Sequence, residues 1–355
     1  MRRDAAGRLL SLAFTARNIQ RLLMAEVTTH TRLPFRRTLW GWRHGFTTYS
    51  NAGYRLSAEN VHEFVSDYAR YVKTPRINGP FLPMLNNKLA FSRLVASHGG
   101  PTPEYYCFIG DHGPIAIGDR YRMRDADGIA AACMTGSRFI VKPCTGGGGV
   151  RVSLISSRDG RLTLNHREVT EAEFARFINS LSDAVVCEFI QQHEYAARIF
   201  PDSANSIRVL TMWDYERNET FIPFAGHRFG GPKSVPVDNV SQGGVAAQVD
   251  VASGKLLMAH SLSEPAGSST FKVHPHTGVA ITGTVVPNWE MVKRGLLKLS
   301  RKMSYIPYIG WDIIVTEDGF RVIEGNNHPH LGHQEFEPLL RNPRVRAFYE
   351  RFGAL

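Results

Sequence analysis

Three stretches of the chain hold residues whose types and spacing suit shared chemistry. The first is Gly310-Trp311-Asp312-Ile313-Ile314-Val315-Thr316, then Glu317-Asp318-Gly319, then Phe320-Arg321-Val322-Ile323-Glu324-Gly325-Asn326. Apolar runs on either side of a glycine-containing turn read as a β-hairpin. With Glu317, Asp318 and Gly319 as a three-residue loop and Gly319 in the left-handed position, Thr316 faces Phe320 and Asp312 falls opposite Glu324. Asn326, two residues on, shares that face. Two carboxylates opposed at about 5 Å repel one another, which is a fault in a sheet without a ligand. A bound divalent cation turns the fault into a site. Carboxylate and amide oxygens are hard ligands suited to Mg2+, which keeps water and phosphate oxygens as its other ligands. A solvated hairpin edge is the bland alternative.

The second stretch is Lys142-Pro143-Cys144-Thr145-Gly146-Gly147-Gly148-Gly149. Four consecutive glycines are costly in backbone entropy. Their use is close approach of main-chain N–H groups to an anion, most often phosphate, and Lys142 at the preceding strand end can reach the same anion. The lysine precedes the glycines and no helix-opening GK[ST] follows, so this is not a Walker A loop. A plain flexible turn has the same composition. In the third stretch, Val185-Val186-Cys187-Glu188-Phe189-Ile190-Gln191-Gln192-His193-Glu194, an apolar strand runs into a polar segment with a glutamate at each end. Such a hinge can present main-chain groups to a base edge, with Glu194 accepting from ribose hydroxyls; a strand end on the surface reads alike.

The elements that must position these residues follow from periodicity. Strands are expected at Tyr105–Ile109, Phe139–Lys142, Val150–Ile155, Ala184–Ile190, Ile207–Trp213, Thr220–Arg228, Val245–Val251, Lys255–His260, Gly310–Val315 and Phe320–Glu324. Helices are expected at Ser57–Val72, Lys88–Ser97, Asp125–Met134, from the capping box Thr170-Glu171-Ala172-Glu173 to Leu181, and from Asn288 to about Met303. A loop with three prolines covers Thr74–Pro83. Helices mixed with antiparallel hairpins predict an α+β architecture of separate lobes rather than one parallel sheet.

At 355 residues with 43% hydrophobic and 21% charged residues the chain suits a folded protein of two or three domains. No apolar run reaches the roughly 18 residues of a membrane-spanning helix. Cys107, Cys133, Cys144 and Cys187 are scattered and form no CxxC pair, against a zinc ribbon or a disulfide framework and in favour of a reducing compartment. Residues 1–44 hold nine arginines against Asp4 and Glu26, so +7 of the net +10 lies in this arm. The apolar segment Leu9–Ala13 is too short and too interrupted by Arg17 and Arg21 for a signal peptide. Leu9, Leu12, Ala13, Ala16, Ile19 and Leu23 mark one face of a helix, either packed on its own domain or lying on an anionic membrane surface. His328, His330 and His333 are better read as substrate-facing or exposed than as a zinc site. His193-Glu194 does not continue into HExxH because position 197 is Ala. Trp40 and Trp42 among Arg36, Arg37 and Arg43 suit a surface arm better than nucleic-acid stacking.

In this order and spacing, the three stretches resemble an ATP-grasp enzyme over residues 85–336. The stretches Asn205–Val209, Val237–Gly244, His274–Gly278 and Gly310–Asp312 are similar, more narrowly, to the sugar-transfer-associated ATP-grasp group, linked by context with cell-surface polysaccharide assembly. The resemblance implies an ATP-grasp fold, two α+β lobes gripping ATP: a basic arm and helical pre-domain at 1–84, an N-lobe at 85–183 and a C-lobe at 184–355. It implies that Lys88, Lys142, Gly146, Gly147, Gly148 and Gly149 hold ATP phosphates, that Glu188, Phe189 and Ile190 form the adenine hinge and Glu194 the ribose contact, and that Asp312, Glu324 and Asn326 hold Mg2+. Ligases of the superfamily often carry an arginine two residues before the metal aspartate; here that position is Gly310, so Arg208 and Arg228, with Lys142, are the catalytic candidates. The implied reaction is ATP-dependent carboxylate–amine (or thiol) ligation through an acyl phosphate, on an amino-acid or sugar-linked acid, in the cytoplasm or at the inner face of the membrane. A phosphotransferase and a non-catalytic nucleotide-binding module on a membrane assembly are the alternatives.

Overall fold

The computed structural model describes residues 5–355 apart from 119, 148, 150, 262–268, 330–333 and 335–336, and for residues 5–11 and 241 the backbone alone. The chain opens with helices α1 (Ala5–Val27), α2 (Phe35–Arg43) and α3 (Thr48–Gly53). It then passes through short 3-10 and π turns to α4 (Leu82–Asn86) and α5 (Lys88–Ser97). The continuous helix expected over Ser57–Val72 is not formed; a 3-10 turn at Val61–Glu63 and a π turn at Ala69–Lys73 stand there instead. Its apolar residues are drawn to two different cores: Phe64 packs with Phe46 and Leu56, whereas Val65 and Ala69 join Leu210, Met212 and Tyr349. The proline-rich loop is likewise structured, with 3-10 turns at Thr74–Arg76 and Gly79–Phe81 that use proline where no N–H is needed.

The first sheet contains β1 (Tyr105–Gly110), β2 (Gly113–Ala116), β3 (Phe139–Pro143), β4 (Ser153–Arg158), β5 (Arg161–Leu164), β6 (Arg167–Glu168) and β7 (Ala184–Glu188), in the order β2-β1-β7-β3-β4-β5-β6. Two helices, α6 (Ala126–Met134) and α7 (Glu171–Asn179), cover one face, where Ile129, Phe139, Phe174 and Ile178 are fully buried. The expected capping box forms: Thr170 accepts from the Glu173 N–H, and Glu173 accepts from the Thr170 N–H at 2.8 Å. The strand expected from Val150 begins at Ser153; Val150 itself lies outside the described residues.

Beyond α8 (Glu194–Ile199) come β8 (Ile207–Asp214), β9 (Glu219–Phe229), β10 (Val245–Val249), β11 (Leu256–His260), β12 (Thr270–Phe271), β13 (Tyr308–Thr316) and β14 (Gly319–Asn326), with α9 (Trp289–Lys302) before β13 and α10 (Pro343–Arg351) at the end. The second sheet runs β12-β11-β10-β9-β8-β13-β14, and every pair in both sheets is antiparallel. Its core gathers Val209, Trp311 and Ile313 with Val292 and Leu296 of α9. Helix α9 starts where expected, but Asn288 makes no side-chain cap; it supplies a left-handed turn, φ 56°, which asparagine tolerates.

Helix α5 joins the two sheets. The Lys88 N–H donates to the Cys144 carbonyl at 2.8 Å, and Leu89 packs beside Cys144 and Cys187. On the other side Phe91 meets the Trp311 ring at 5.6 Å between centroids and lies flat against Gly325, where a Cβ would come within 2.5 Å of the ring. Among the described residues, no helix is long and apolar enough to cross a membrane.

Candidate active site

The hairpin β13–β14 pairs Asp312 with Glu324 and Gly310 with Asn326, as the sequence pattern requires. The route differs from expectation. Thr316 pairs with Gly319 across a two-residue turn, Glu317-Asp318, and not with Phe320; this tighter turn sets Ile313 against Val322. A bulge in β14 opposite Asp312 and Ile313, with Ile323 as the extra residue, then restores the Asp312–Glu324 pairing. Gly319 sits at φ 142°, outside the left-handed helical well expected of it.

The neighbouring strand β8 sets Arg208 beside Asp312, on the side away from Glu324. Its Nε donates to Asp312 Oδ1 and its terminal nitrogen to Oδ2 at 2.9 Å. Arg228, from β9, donates to the same Oδ2 at 3.0 Å and lies 3.4 Å from Asp238, which accepts from the Ser206 N–H at 2.7 Å. Burial alone raises the Asp312 carboxyl, but the two guanidiniums outweigh it and hold the group well below the usual carboxylate range. Glu324 moves the other way: burial, then the Asp312 charge, push it up, against the pull of Lys88. The opposed shifts are what two carboxylates at close quarters with unequal cationic support must have.

Gly310, two residues before Asp312, has no room for a side chain. A Cβ there would lie 2.7 Å from Pro329 and 3.4 Å from the Arg208 stem. The guanidinium next to Asp312 comes from the adjacent strand.

The first sheet brings two lysines to this pair. Lys88, at the start of α5, lies 3.6 Å from Glu324 Oε2 and donates to the Gly146 carbonyl at 2.7 Å. Lys142 reaches the Ile323 carbonyl at 3.5 Å and its ammonium sits 5.5 Å from the Tyr105 ring centre. Burial works against its charge, but Cys187, Tyr105 and Glu324 together outweigh it and raise its pKa. The glycine loop is pinned at its base, where the Cys144 N–H donates to the Asp183 carbonyl at 2.7 Å and Thr145 Oγ1 to the Asp183 carboxylate at 2.6 Å. Beyond it, Gly146 and Gly149 take φ 89° and 68°, a backbone that L side chains resist. Gly148 lies outside the described residues.

The crossing between lobes is Glu188–His193. The Glu188 N–H donates to the Glu104 carbonyl at 2.8 Å on the first sheet, and the His193 N–H to the Val315 carbonyl at 2.8 Å on the second. Arg138 stacks on Phe189 at 4.1 Å.

One cavity of about 860 Å³ takes in Lys88, Lys142, Gly146, Gly147 and Gly149, the hinge residues Glu188, Phe189 and Ile190, and Arg208, Arg228, Asp312, Glu324 and Asn326. This is near the top of the range of about 300–1,000 Å³ for ligand pockets. Glu194 is not brought into it: it opens α8 on the outside, 73% exposed, 3.8 Å from Arg198. Of the narrower family-like stretches, His274–Gly278 also stays outside; His274 is buried and bonds the Gly230 carbonyl at 2.8 Å.

Sequence reasoning missed the far wall. Thr28 and Thr29 after α1, Tyr49 of α3 and Arg70 and Tyr71 of the π turn line the same cavity with His328. Arg70 Nε donates to the Pro329 carbonyl at 3.3 Å and its guanidinium lies 4.6 Å from the Tyr71 ring centre. It has no carboxylate partner among the described residues, whereas Arg208 and Arg228 share Asp312. A helical period over Ser57–Val72 gave no sign that Arg70 faces a cavity. His330 and His333 lie outside the described residues.

The donor set fits Mg2+. Glu324 and Asn326 offer hard oxygens on one face of β14, beside the Asp312 Oδ1 that accepts from Arg208.

Two lobes joined by a hinge, with lysines from one lobe meeting carboxylates from the other, define an ATP-grasp protein. The chain belongs to the sugar-transfer associated ATP-grasp family, whose pattern it matches over residues 68–340, more than three quarters of its length. No curated protein matches it significantly. Solved structures similar to it include an N5-carboxyaminoimidazole ribonucleotide synthetase bound to ADP (11% identity, TM-score 0.40, covering 71% of this chain and 47% of that one). Others are the ATP-grasp ligase PsnB with precursor, Mg and ADP (16%, 0.39, 76% and 61%) and the D-alanine-D-alanine ligase of Coxiella burnetii (10%, 0.40, 79% and 60%). The chain thus spans between about half and three fifths of the length of these structures.

Proposed function

We propose that the protein is an ADP-forming carboxylate ligase that activates an acid as its acyl phosphate and passes it to an amine. The observation that carries this reading is the Asp312–Glu324 pair, backed by Arg208 and Arg228 and faced by Lys88 and Lys142 across one cavity. In this reading ATP lies between the lobes (residues 85–183 and 184–355), its base against Glu188–Ile190 and its phosphates against Lys88, Lys142 and the Gly146–Gly149 loop. Asp312, Glu324 and Asn326 would hold Mg2+, which neutralises phosphate charge when bound.

A carboxylate oxygen of the acid attacks the γ-phosphorus, the bond to the β–γ bridging oxygen breaks, and ADP leaves. The amine then attacks the acyl carbon and expels phosphate. The first step is mostly positioning and charge compensation. Arg208 and Arg228 each retain N–H donors beyond those given to Asp312, and a preorganised guanidinium stabilises the transferring phosphoryl group without reorganising. No enzyme nucleophile is required. The acid occupies the wall of Thr28, Tyr49, Arg70 and Tyr71, where a guanidinium with no carboxylate partner among the described residues selects an anion and the hydroxyls suit an amino-acid or sugar-linked acid. The family's sugar-transfer association supports a product used in polysaccharide assembly, made in the cytoplasm where ATP is supplied.

Incubation with MgATP, hydroxylamine and a panel of amino acids and uronic acids tests the reading. A hydroxamate formed with ADP supports it. ADP formed with a stable phosphorylated product and no hydroxamate would make the protein a kinase, and no nucleotide binding at all would remove both.

A further inference from the structure

We propose that the N-terminal helices α1 and α2 dock the protein on an anionic phospholipid surface. Over its described side chains, residues 12–27, helix α1 meets the body through one side. Asn18 is buried, Arg76 donates to Thr15, and the Glu26 carboxylate accepts from the Thr48 N–H at 2.7 Å. The opposite side carries residues 12, 16, 19, 23 and 27, spaced three or four apart and hence on one helical stripe. That stripe is apolar and open: Leu12 is 66% exposed, Ile19 39%, Leu23 59% and Val27 78%. Helix α2 adds Phe35 at 74% and Trp42 at 48%.

An apolar stripe of this length is what a soluble helix normally buries, so something covers it. Charge decides what. Arg17, Arg32, Arg36 and Arg43 are exposed on the two helices and the link between them, and Arg36 and Arg43 flank Phe35 and Trp42 on α2. The one described carboxylate within residues 12–44, Glu26, is turned inward to Thr48. A second copy of the chain would bring the same positive surface and repel. A nucleic acid would satisfy the arginines and leave the leucines wet. An anionic bilayer meets both demands: apolar side chains enter the acyl boundary, Trp42 takes the interface, and the guanidiniums meet headgroup phosphates. The chain leaving α1 lines the cavity at Thr28 and Thr29, so docking holds one wall of the site at the lipid surface.

The test is sedimentation of the full-length protein with vesicles of phosphatidylcholine alone or mixed equally with phosphatidylglycerol. The protein should bind the mixed vesicles and not the neutral ones, and high salt should weaken binding. Ile19→Glu with Leu23→Glu should lower the partition by about tenfold or more, since both the buried apolar area and the charge balance change. Arg36→Gln with Arg43→Gln leaves the apolar residues intact and should lower it through charge alone. Both pairs lie outside the cavity, so MgADP affinity should stay at the wild-type value and reports that the variants are folded. Failure of the wild type to bind the mixed vesicles overturns the proposal, as does binding that survives the glutamate pair. A dimer in light scattering that the glutamate pair splits into monomers also overturns it and gives the stripe to a second copy.

Discussion

Asp312 and Glu324 face each other because a bulge in β14, with Ile323 as the extra residue, undoes the shift that a two-residue turn introduces. The pair is electrically lopsided. Asp312 is 1% exposed and holds two guanidiniums, while the ion pair of Glu324 is with Lys88, at 3.6 Å. The same neutralising substitution should therefore have opposite effects at the two positions. Asp312→Asn leaves Arg208 and Arg228 without a counter-charge and should cost about 3 kcal/mol in urea unfolding. Glu324→Gln replaces a carboxylate whose pKa is already raised by burial and by Asp312, and its stability should match the wild type or exceed it.

Gly325 lets Phe91 lie against the strand that carries Glu324, where a Cβ would intrude to 2.5 Å. Gly325→Ala should cost about 1–3 kcal/mol of stability by overpacking. Because α5 also carries Lys88, it should weaken ADP binding too, read by calorimetric titration. Gly147→Ala, with nothing within 4 Å of its Cβ, serves as the comparison and should leave stability unchanged.

Arg70 should decide how tightly the acid binds and not how tightly the nucleotide binds. Once an acid substrate is found, Arg70→Ala should raise its KM by about tenfold or more, the loss of one charge-assisted hydrogen-bonding group. The MgADP dissociation constant should not change. An unaltered KM would remove Arg70 from the acid site.

Acid stability should depend on His227. Burial lowers its pKa from 6.5 to about 3, and its Nε2 lies 2.7 Å from the Tyr195 hydroxyl. The unfolded chain takes up a proton below 6.5 and the folded one does not until about 3, so stability falls as pH drops through that window. Between about pH 6 and pH 4 this group should contribute a slope of about 1.4 kcal/mol per pH unit. His227→Phe, which keeps the stacking on Phe229 at 4.1 Å, should remove that slope in urea titrations across the range.

The parts of the site that sequence made legible are those fixed by local pattern. Alternation of apolar residues marks the faces that Asp312 and Glu324 occupy, but with the two-residue turn their pairing depends on the extra residue Ile323 in β14, which the pattern did not show. A glycine run after a strand lysine marks a close main-chain approach, and the run does bend into positive φ at Gly146 and Gly149. Features set by packing between distant segments were not legible. The Ser57–Val72 stretch has helical spacing but is pulled toward two cores, and that break is what turns Arg70 to the cavity. Glu194 has the right distance in sequence from Glu188, yet the chain turns into α8 and carries it outside. Amphipathic spacing in α1 was plain, but which side would pack was not, because Asn18 and Glu26 rather than the leucines hold it to the body.

The central claim is that the hairpin carboxylates serve a magnesium–nucleotide complex, and ADP titration with and without Mg2+ tests it most directly. Wild-type protein should bind ADP about tenfold or more tightly with Mg2+ than without, and Glu324→Gln should abolish that difference while remaining folded. If Glu324→Gln kept the full magnesium dependence, the hairpin would not be the metal site and the ligase reading would lose its foundation.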